Sequence, residues 1–255
     1  MPKCAAFFRA AIQKSFSCSS AKCLAVKLRQ AAKPAGAQPA GFFFVKAVEK
    51  KAAACYNLVM QSLTPVKEYA KEHAVPIMKD EGIEFICKYI EDHKIKNILE
   101  IGSAIGYSAM KFAGVADDIC VTTLEIDRER YEQAVQNIKM RNLESRISIH
   151  LCDALLFETE KQFDLIFIDA AKSQYIKFFE KYKHNLAPDG VIVSDNLSFH
   201  GMVEDPHLQC NRNTVMLVKK IRKYAAFLRN NEEFETEFIK RGDGISISRR
   251  RTFKV

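Results

Sequence analysis

Two acids, an amide and a lysine stand at spacings that suit cation-assisted chemistry. Asp169 is followed three residues on by Lys172, and Asp195 is followed directly by Asn196. Each pair comes after an apolar run, Phe167-Ile168 in one case and Val191-Ile192-Val193-Ser194 in the other, so each reads as the C-terminal tip of a buried strand. In an open α/β sheet that end of the strands is where ligands bind. Adjacent tips bring the two acids close together, and an Asp, Asp, Asn set offers oxygen ligands alone, which suit Mg²⁺, Mn²⁺ or Ca²⁺ rather than zinc. A lysine beside such a cation loses its proton more readily, which makes Lys172 a candidate base. Taken alone, Asp195-Asn196 also reads as a turn or helix cap, and Lys172 as a surface lysine; the companion Asp169 favours the site.

A second constellation lies upstream. Glu100-x-Gly102-x-x-x-Gly106 follows the apolar run around Leu99 and Ile101 and precedes a helix. Glycines there let the backbone approach a ligand, and the helix N-terminus supplies free N–H groups. The spacing is neither the dinucleotide fingerprint nor a phosphate loop, since no Lys-Ser/Thr follows Gly106. The next strand ends in Thr123-Leu124-Glu125-Ile126-Asp127, where a carboxylate can accept both hydroxyls of a ribose. The one after ends in Leu151-Cys152-Asp153-Ala154, where an acid or a backbone N–H can meet an adenine edge. Three such tips together suit an adenosine ligand without phosphates.

The elements that must position these residues are legible from periodicity. Strands are expected at 97–101, 120–125, 146–151, 164–168, 190–194, about 235–239 and 244–248, with helices at 107–115, 128–142, 174–185 and 212–229. A helical pattern runs from about 46 through Tyr56, Leu58, Val59 and Leu63 to Val66, Tyr69 and Ala70, and another covers Glu81–Tyr89 and Ile90. Buried strands separated by helices imply a parallel sheet with right-handed crossovers. The last two strands are joined by Arg241-Gly242-Asp243-Gly244 and read as an antiparallel hairpin at one edge.

Charge is unevenly placed. Residues 1–48 hold eight basic residues and no acid, so the remaining 31 basic residues balance all 31 acids of the chain. The net charge of +8 therefore belongs to an N-terminal extension, 1–45, ending in Lys33-Pro34-Ala35-Gly36-Ala37-Gln38-Pro39-Ala40-Gly41, a linker-like stretch. Such an arm suits an organelle transit peptide, a nucleic-acid contact, or no role at all, and Arg9 argues against a secretory signal. No apolar run approaches the roughly eighteen residues of a membrane helix, so no membrane partner is expected. Eight cysteines show no metal-type spacing and read as free, buried thiols of a reducing compartment. Lys219-Lys220-x-Arg222-Lys223 and Arg249-Arg250-Arg251 could touch RNA phosphates, or be a solvated helix face and a frayed terminus. His200 and His207 read as loop residues.

These residues resemble a known family. The run 97–114, Glu125, Asp169-Ala170-Ala171-Lys172-Ser173-Gln174-Tyr175, Ser194-Asp195-Asn196 and Gly242-Asp243-Gly244-Ile245-Ser246-Ile247 look like the cation-dependent, S-adenosylmethionine-using O-methyltransferases, the group of the catechol and caffeoyl-CoA enzymes. Glu72-His73-Ala74-Val75-Pro76-Ile77-Met78 and Ile105-Gly106-Tyr107-Ser108 resemble most the bacterial branch that methylates tRNA 5-hydroxyuridine at the wobble position of the anticodon loop to 5-methoxyuridine. The resemblance, covering roughly 55–250, implies a class I methyltransferase fold. That is an α/β, Rossmann-like, seven-stranded and mostly parallel sheet with an antiparallel C-terminal hairpin, helices on both faces, and a domain spanning 46–255.

It further implies that Asp169, Asp195 and Asn196 hold the cation and that Lys172, with Asp169, is catalytic. Glu125 would grip the ribose, Asp153 and Ala154 would border the adenine, and Glu100, Gly102, Ser103, Ser108 and Asp169 would surround the methionine end of S-adenosylmethionine. A tRNA acceptor is the leading expectation and a small catechol- or phenol-type acceptor the alternative, in a cytoplasmic homodimer, or an organellar one if the arm is a transit peptide. The basic arm lies outside the family pattern, and Cys152 stands where a glycine is usual.

Overall fold

Helices on both faces of a sheet leave its central strands no wet side, and that is why residues 98–101, 165–168 and 190–194 are buried throughout while the edge strands alternate. The computed structural model describes residues 62–198, 201–203 and 210–251. The chain divides into two units, Met1–Leu63 and Thr64–Val255, and every element below belongs to the second. The basic extension, the helical pattern up to residue 61, His200 and His207 lie outside the described residues.

Two helices, α1 (Thr64–Glu72) and α2 (Asp80–Asp92), precede the sheet. Then follow β1 (Asn97–Ile101), α3 (Tyr107–Ala113), β2 (Cys120–Glu125), α4 (Arg128–Met140), β3 (Ile147–Leu151) and β4 (Phe163–Ile168). A 3₁₀ turn (Lys172–Gln174) leads into α5 (Tyr175–Tyr182) and a second 3₁₀ turn (Lys183–Asn185). The chain closes with β5 (Leu186–Ser194), α6 (Arg212–Arg229), β6 (Phe234–Ile239) and β7 (Ile245–Arg250). The seven strands lie in the order β3-β2-β1-β4-β5-β7-β6, parallel except for β7, which runs antiparallel to both β5 and β6. This is the class I methyltransferase arrangement the sequence led us to expect. The expected helix at 174–185 is three pieces, and β5 starts earlier than expected, admitting Pro188 at its exposed lower end.

Each helix turns an apolar stripe inward. From α2 come Ile83, Ile86, Tyr89 and Ile90; from α5, Tyr175, Phe178, Phe179 and Tyr182; from α6, Val218, Ile221, Tyr224, Ala225 and Leu228. Phe179 meets Phe234 and Phe227 edge-on, with centroids 5.0 and 5.3 Å apart. Each such ring removed from water contributes about 2–3 kcal/mol. Asp127 and Asn211 cap α4 and α6 by accepting from Arg130 N–H and Thr214 N–H, the usual remedy for orphan donors at a helix start.

Cys87, Cys120, Cys152 and Cys210 are free. Cys120 and Cys210 are exposed, contrary to the expectation of buried thiols, because one opens β2 before the covered stretch begins and the other lies in the loop before α6. Burial pushes the Cys87 thiol up to about 11, so it stays protonated and unreactive. Among the described residues no helix is long and apolar enough to cross a membrane.

Strand order reverses between β1 and β4, and there the backbones come closest. A Cβ on Gly102, which has φ +95°, would lie 2.2 Å from the Asp169 carbonyl oxygen. Gly102→Ala should therefore lower stability by more than about 2 kcal/mol, since it adds a backbone clash to an unfavourable φ. Gly201→Ala, also at positive φ but with nothing within 4 Å of the added Cβ, should cost only about 1 kcal/mol. Urea unfolding of the two variants checks the contrast.

Candidate active site

The C-terminal ends of five strands form one row. Pairing of Ile101 with Ile168, Ile101 with Leu124, Glu125 with Leu151 and Ile168 with Ser194 sets the tips of β3, β2, β1, β4 and β5 side by side. Backbone bonds extend the ladder past the strands: Gly102 N–H donates to Leu124 O at 2.9 Å, Asp169 N–H to Ile101 O at 3.0 Å, and Asp195 N–H to Ile168 O at 3.2 Å. Glu100, Glu125, Asp153, Asp169, Asp195 and Asn196 stand at or directly after these strand ends, around the switch point where ligands of open α/β sheets bind.

At the β4–β5 end, Lys172 Nζ lies 3.2 Å from Asp169 Oδ1 and donates to the Tyr175 hydroxyl. That hydroxyl in turn donates to the Asp195 carbonyl at 3.3 Å, and the ammonium sits 4.7 Å above the tyrosine ring. Tyr175 is fully buried against Tyr224, whose hydroxyl bonds Ser194 Oγ at 2.7 Å. Asp195 is buried too, and its Oδ1, like Asn196 Oδ1, has no hydrogen-bond donor. Burial first, and the neighbouring Asp169 charge second, push the Asp195 carboxyl up to about 7. Two buried oxygens without donors beside a further carboxylate are costly in isolation and satisfied by a hard cation, so the residues fit the divalent ion expected of them.

At the β1–β2 end, Glu100 is wholly buried. Its Oε2 accepts from Thr123 Oγ1 at 2.5 Å, while Oε1 makes no well-formed hydrogen bond. Burial raises this carboxyl to about 7, the Ser108 and Thr123 hydroxyls pulling it back. Ser103, three residues on, is buried as well, and Gly106, at φ +80°, opens α3. Glu125 is held by three backbone donors: Ala104 N–H at 2.7 Å, and Ile126 and Asp127 N–H at 2.9 Å each. Asp153 Oδ1 accepts from Leu155 N–H at 2.8 Å, so one oxygen shapes its own turn, and Ala154 beside it is buried.

Other participants were not singled out in the sequence. Tyr175 had a signal, its i+3 spacing from Lys172, which puts the two on one side of a helical turn. Thr123 and Tyr224 had none, since only strand pairing and helix packing bring them to Glu100 and Ser194. The β6–β7 turn docks on the segment after Asn196: Leu197 N–H donates to Gly244 O at 2.9 Å and Ser198 N–H to Asp243 O at 2.7 Å. Asp243 Oδ1 pairs with Lys79 Nζ at 2.5 Å.

The basic clusters part company. Register pairs Arg249 with Val191, three residues below Ser194, so Arg249 and Arg250 lie toward the opposite end of the sheet. There Arg249 donates to the Tyr89 hydroxyl at 3.0 Å, and Arg250 pairs with Glu233 at 2.5 Å; neither belongs to a frayed terminus. Lys219, Lys220, Arg222 and Lys223 are exposed on α6, whose Tyr224 reaches Ser194, with Arg222 Nε donating to Val203 O at 3.0 Å.

The model of the O-methyltransferase family matches residues 50–251. A structure from Staphylococcus aureus, provisionally described as a caffeoyl-CoA O-methyltransferase, is 38% identical, with a TM-score of 0.71 over 74% of this chain and 92% of its own. The O-methyltransferase of Bacillus cereus, solved in complex with S-adenosylhomocysteine, is 26% identical, with a TM-score of 0.63 over 74% of this chain and 90% of its own. The caffeoyl-CoA O-methyltransferase of Stellaria longipes is 28% identical over 204 residues, 74% of this chain and 83% of the relative.

The Glu100 carboxyl gives a pH prediction. Its pKa is raised from 4.5 to about 7 on folding, so between those values the fold holds a proton that the unfolded chain has released. Stability therefore falls as pH rises from about 4.5 to 7 and levels off above. Glu100→Gln should remove this part of the slope, leaving the part due to Asp195. Urea unfolding at pH 5, 6, 7 and 8 measures it.

Proposed function

This chain belongs to the O-methyltransferase family, and from that premise we propose that it moves the methyl group of S-adenosylmethionine to a hydroxyl of a small phenol of the catechol or caffeoyl type. The observation that carries the reading is the pair of buried, donorless oxygens, Asp195 Oδ1 and Asn196 Oδ1, next to the Asp169–Lys172 pair. Named relatives at 28% and 38% identity are caffeoyl-CoA enzymes by description, which supports a phenolic acceptor.

Asp169, Asp195 and Asn196 would hold a divalent cation. When bound, the sulfonium supplies an electrophilic methyl group and the cation lowers the pKa of the acceptor hydroxyl. Lys172 would take the hydroxyl proton at Nζ, and Asp169 with the Tyr175 hydroxyl keeps that nitrogen in place. Glu100, through its unpaired Oε1, would hold the ammonium of the methionine end. Glu125 would accept from the ribose hydroxyls and the Asp153–Ala154 turn would border the adenine. The gain comes from alignment of the acceptor oxygen with the methyl carbon and from proton removal.

One observation favours a second acceptor, the wobble 5-hydroxyuridine of tRNA. Helix α6 carries six basic residues and no acid, with Lys219, Lys220 and Lys223 exposed. Against it, Arg249 and Arg250 are turned away from the row of strand tips and engaged with Tyr89 and Glu233.

Transfer of labelled methyl to a catechol and, in a parallel tube, to tRNA bearing 5-hydroxyuridine, each with Mg²⁺ or EDTA, decides between them. Metal-dependent label in the phenol alone is the expected result; label appearing as 5-methoxyuridine instead moves the chain to the second acceptor. Asp169→Ala should lower turnover by at least about a hundredfold while S-adenosylhomocysteine still binds, and undiminished turnover would sink the cation site.

A further inference from the structure

The turn that follows β3 is held from below by one helix. Tyr182 donates from its hydroxyl to the Ala154 carbonyl at 2.5 Å. Lys181 Nζ donates to the Leu155 carbonyl at 2.8 Å and pairs with Glu158 at 2.7 Å. Just past the helix, Asn185 Nδ2 donates to the carbonyls of Thr159 and Lys161 at 2.7 and 3.2 Å. The C-terminal end of α5 and the 3₁₀ turn after it thus reach five residues of the 153–161 loop. Its own position is not adjustable, because Phe178, Phe179 and Tyr182 are buried in the same cluster as Ala154, Leu186 and Phe234. Burial drives the Tyr182 phenol well above its ordinary value, so it is a donor at every working pH.

The opposite end of the same helix carries Tyr175, whose hydroxyl joins Lys172 to the Asp195 carbonyl. Two tyrosines, the first and last residues of an eight-residue helix and about 10 Å apart along its axis, therefore hold backbone at both halves of the row of strand tips.

We propose that α5 is a brace for the cofactor turn, with Tyr182 and Lys181 acting as positioning residues for the adenosine half of the ligand. The inference rests on the reading that the Asp153–Ala154 turn borders adenine. Neither side chain needs to touch the ligand. By tying down the carbonyls of Ala154 and Leu155 they fix the height of the turn, so the ligand does not have to order it on binding. Releasing one tie leaves a buried carbonyl unsatisfied and frees the turn to move away from the binding geometry.

Calorimetric titration of the whole chain with S-adenosylhomocysteine, and separately with 5′-methylthioadenosine, tests this without any methyl acceptor. Tyr182→Phe keeps the buried ring and should weaken both ligands about tenfold; Lys181→Met should weaken both about threefold. Lys183→Met supplies the structural comparison, because Lys183 pairs with Glu180 and Glu233 at the same end of the helix and has no bond to the turn. Its affinities should match the unaltered protein. Absence of binding by the unaltered chain would overturn the cofactor reading itself. Normal binding in the unaltered chain with undiminished binding in Tyr182→Phe and Lys181→Met would overturn the brace. So would a loss equal in Lys183→Met, or a loss confined to S-adenosylhomocysteine. Should Tyr182→Phe fail to fold, Lys181→Met, at a partly buried position outside the core cluster, carries the same test.

Discussion

The Asp169 carbonyl oxygen occupies the space that a side chain at position 102 would fill, and the rest of the site follows from that contact. β1 and β4 are neighbours whose onward connections run in opposite directions, so a crevice opens above them. Without a Cβ at Gly102, the two backbones pass closely enough for Glu100 and Asp169 to belong to one site. The Asp169 charge contributes to the rise in both Glu100 and Asp195, behind burial in each case. A site with three acids gathered in one place is poised for positive charge, whether an ammonium, a sulfonium or a metal ion.

Around this contact the fold separates tasks by strand. β1 and β2 present carboxylates restrained by hydroxyls and backbone N–H groups, suited to hydroxyl and ammonium donors. β5 presents two oxygens without donors, beside the Asp169 carboxylate at the end of β4, a set suited to a hard cation. The β6–β7 hairpin bonds the backbone at Leu197 and Ser198, directly after Asn196, which sits at φ 70°. A left-handed asparagine needs such outside support, because the conformation is unfavourable by itself.

Much of this was legible beforehand because strands buried on both faces announce themselves as apolar runs, and a polar residue at the end of such a run is conspicuous. Asp169, Asp195, Glu125 and Asp153 all stood out that way. Tyr182 and Tyr224 did not. Each sits in an apolar helical stripe, where a tyrosine is indistinguishable from a phenylalanine until its hydroxyl is seen to meet Ala154 O or Ser194 Oγ. The two arginines at the end of β7 show the reverse error: a run of charge looks like a free basic patch, yet cross-strand Glu237 and nearby Glu233 and Tyr89 engage it.

The sequence by itself determined the alternation of elements, the parallel sheet with its terminal hairpin, the glycine turn and the residues at the strand tips, because these depend on local periodicity and on short-range backbone chemistry. Strand order, and with it which tips are neighbours, was decided by tertiary structure. So were the donorless Oδ1 atoms of Asp195 and Asn196 and the placement of each basic cluster relative to the crevice. Those properties depend on contacts between residues far apart in the chain, and on how much water the assembled fold leaves around each charge.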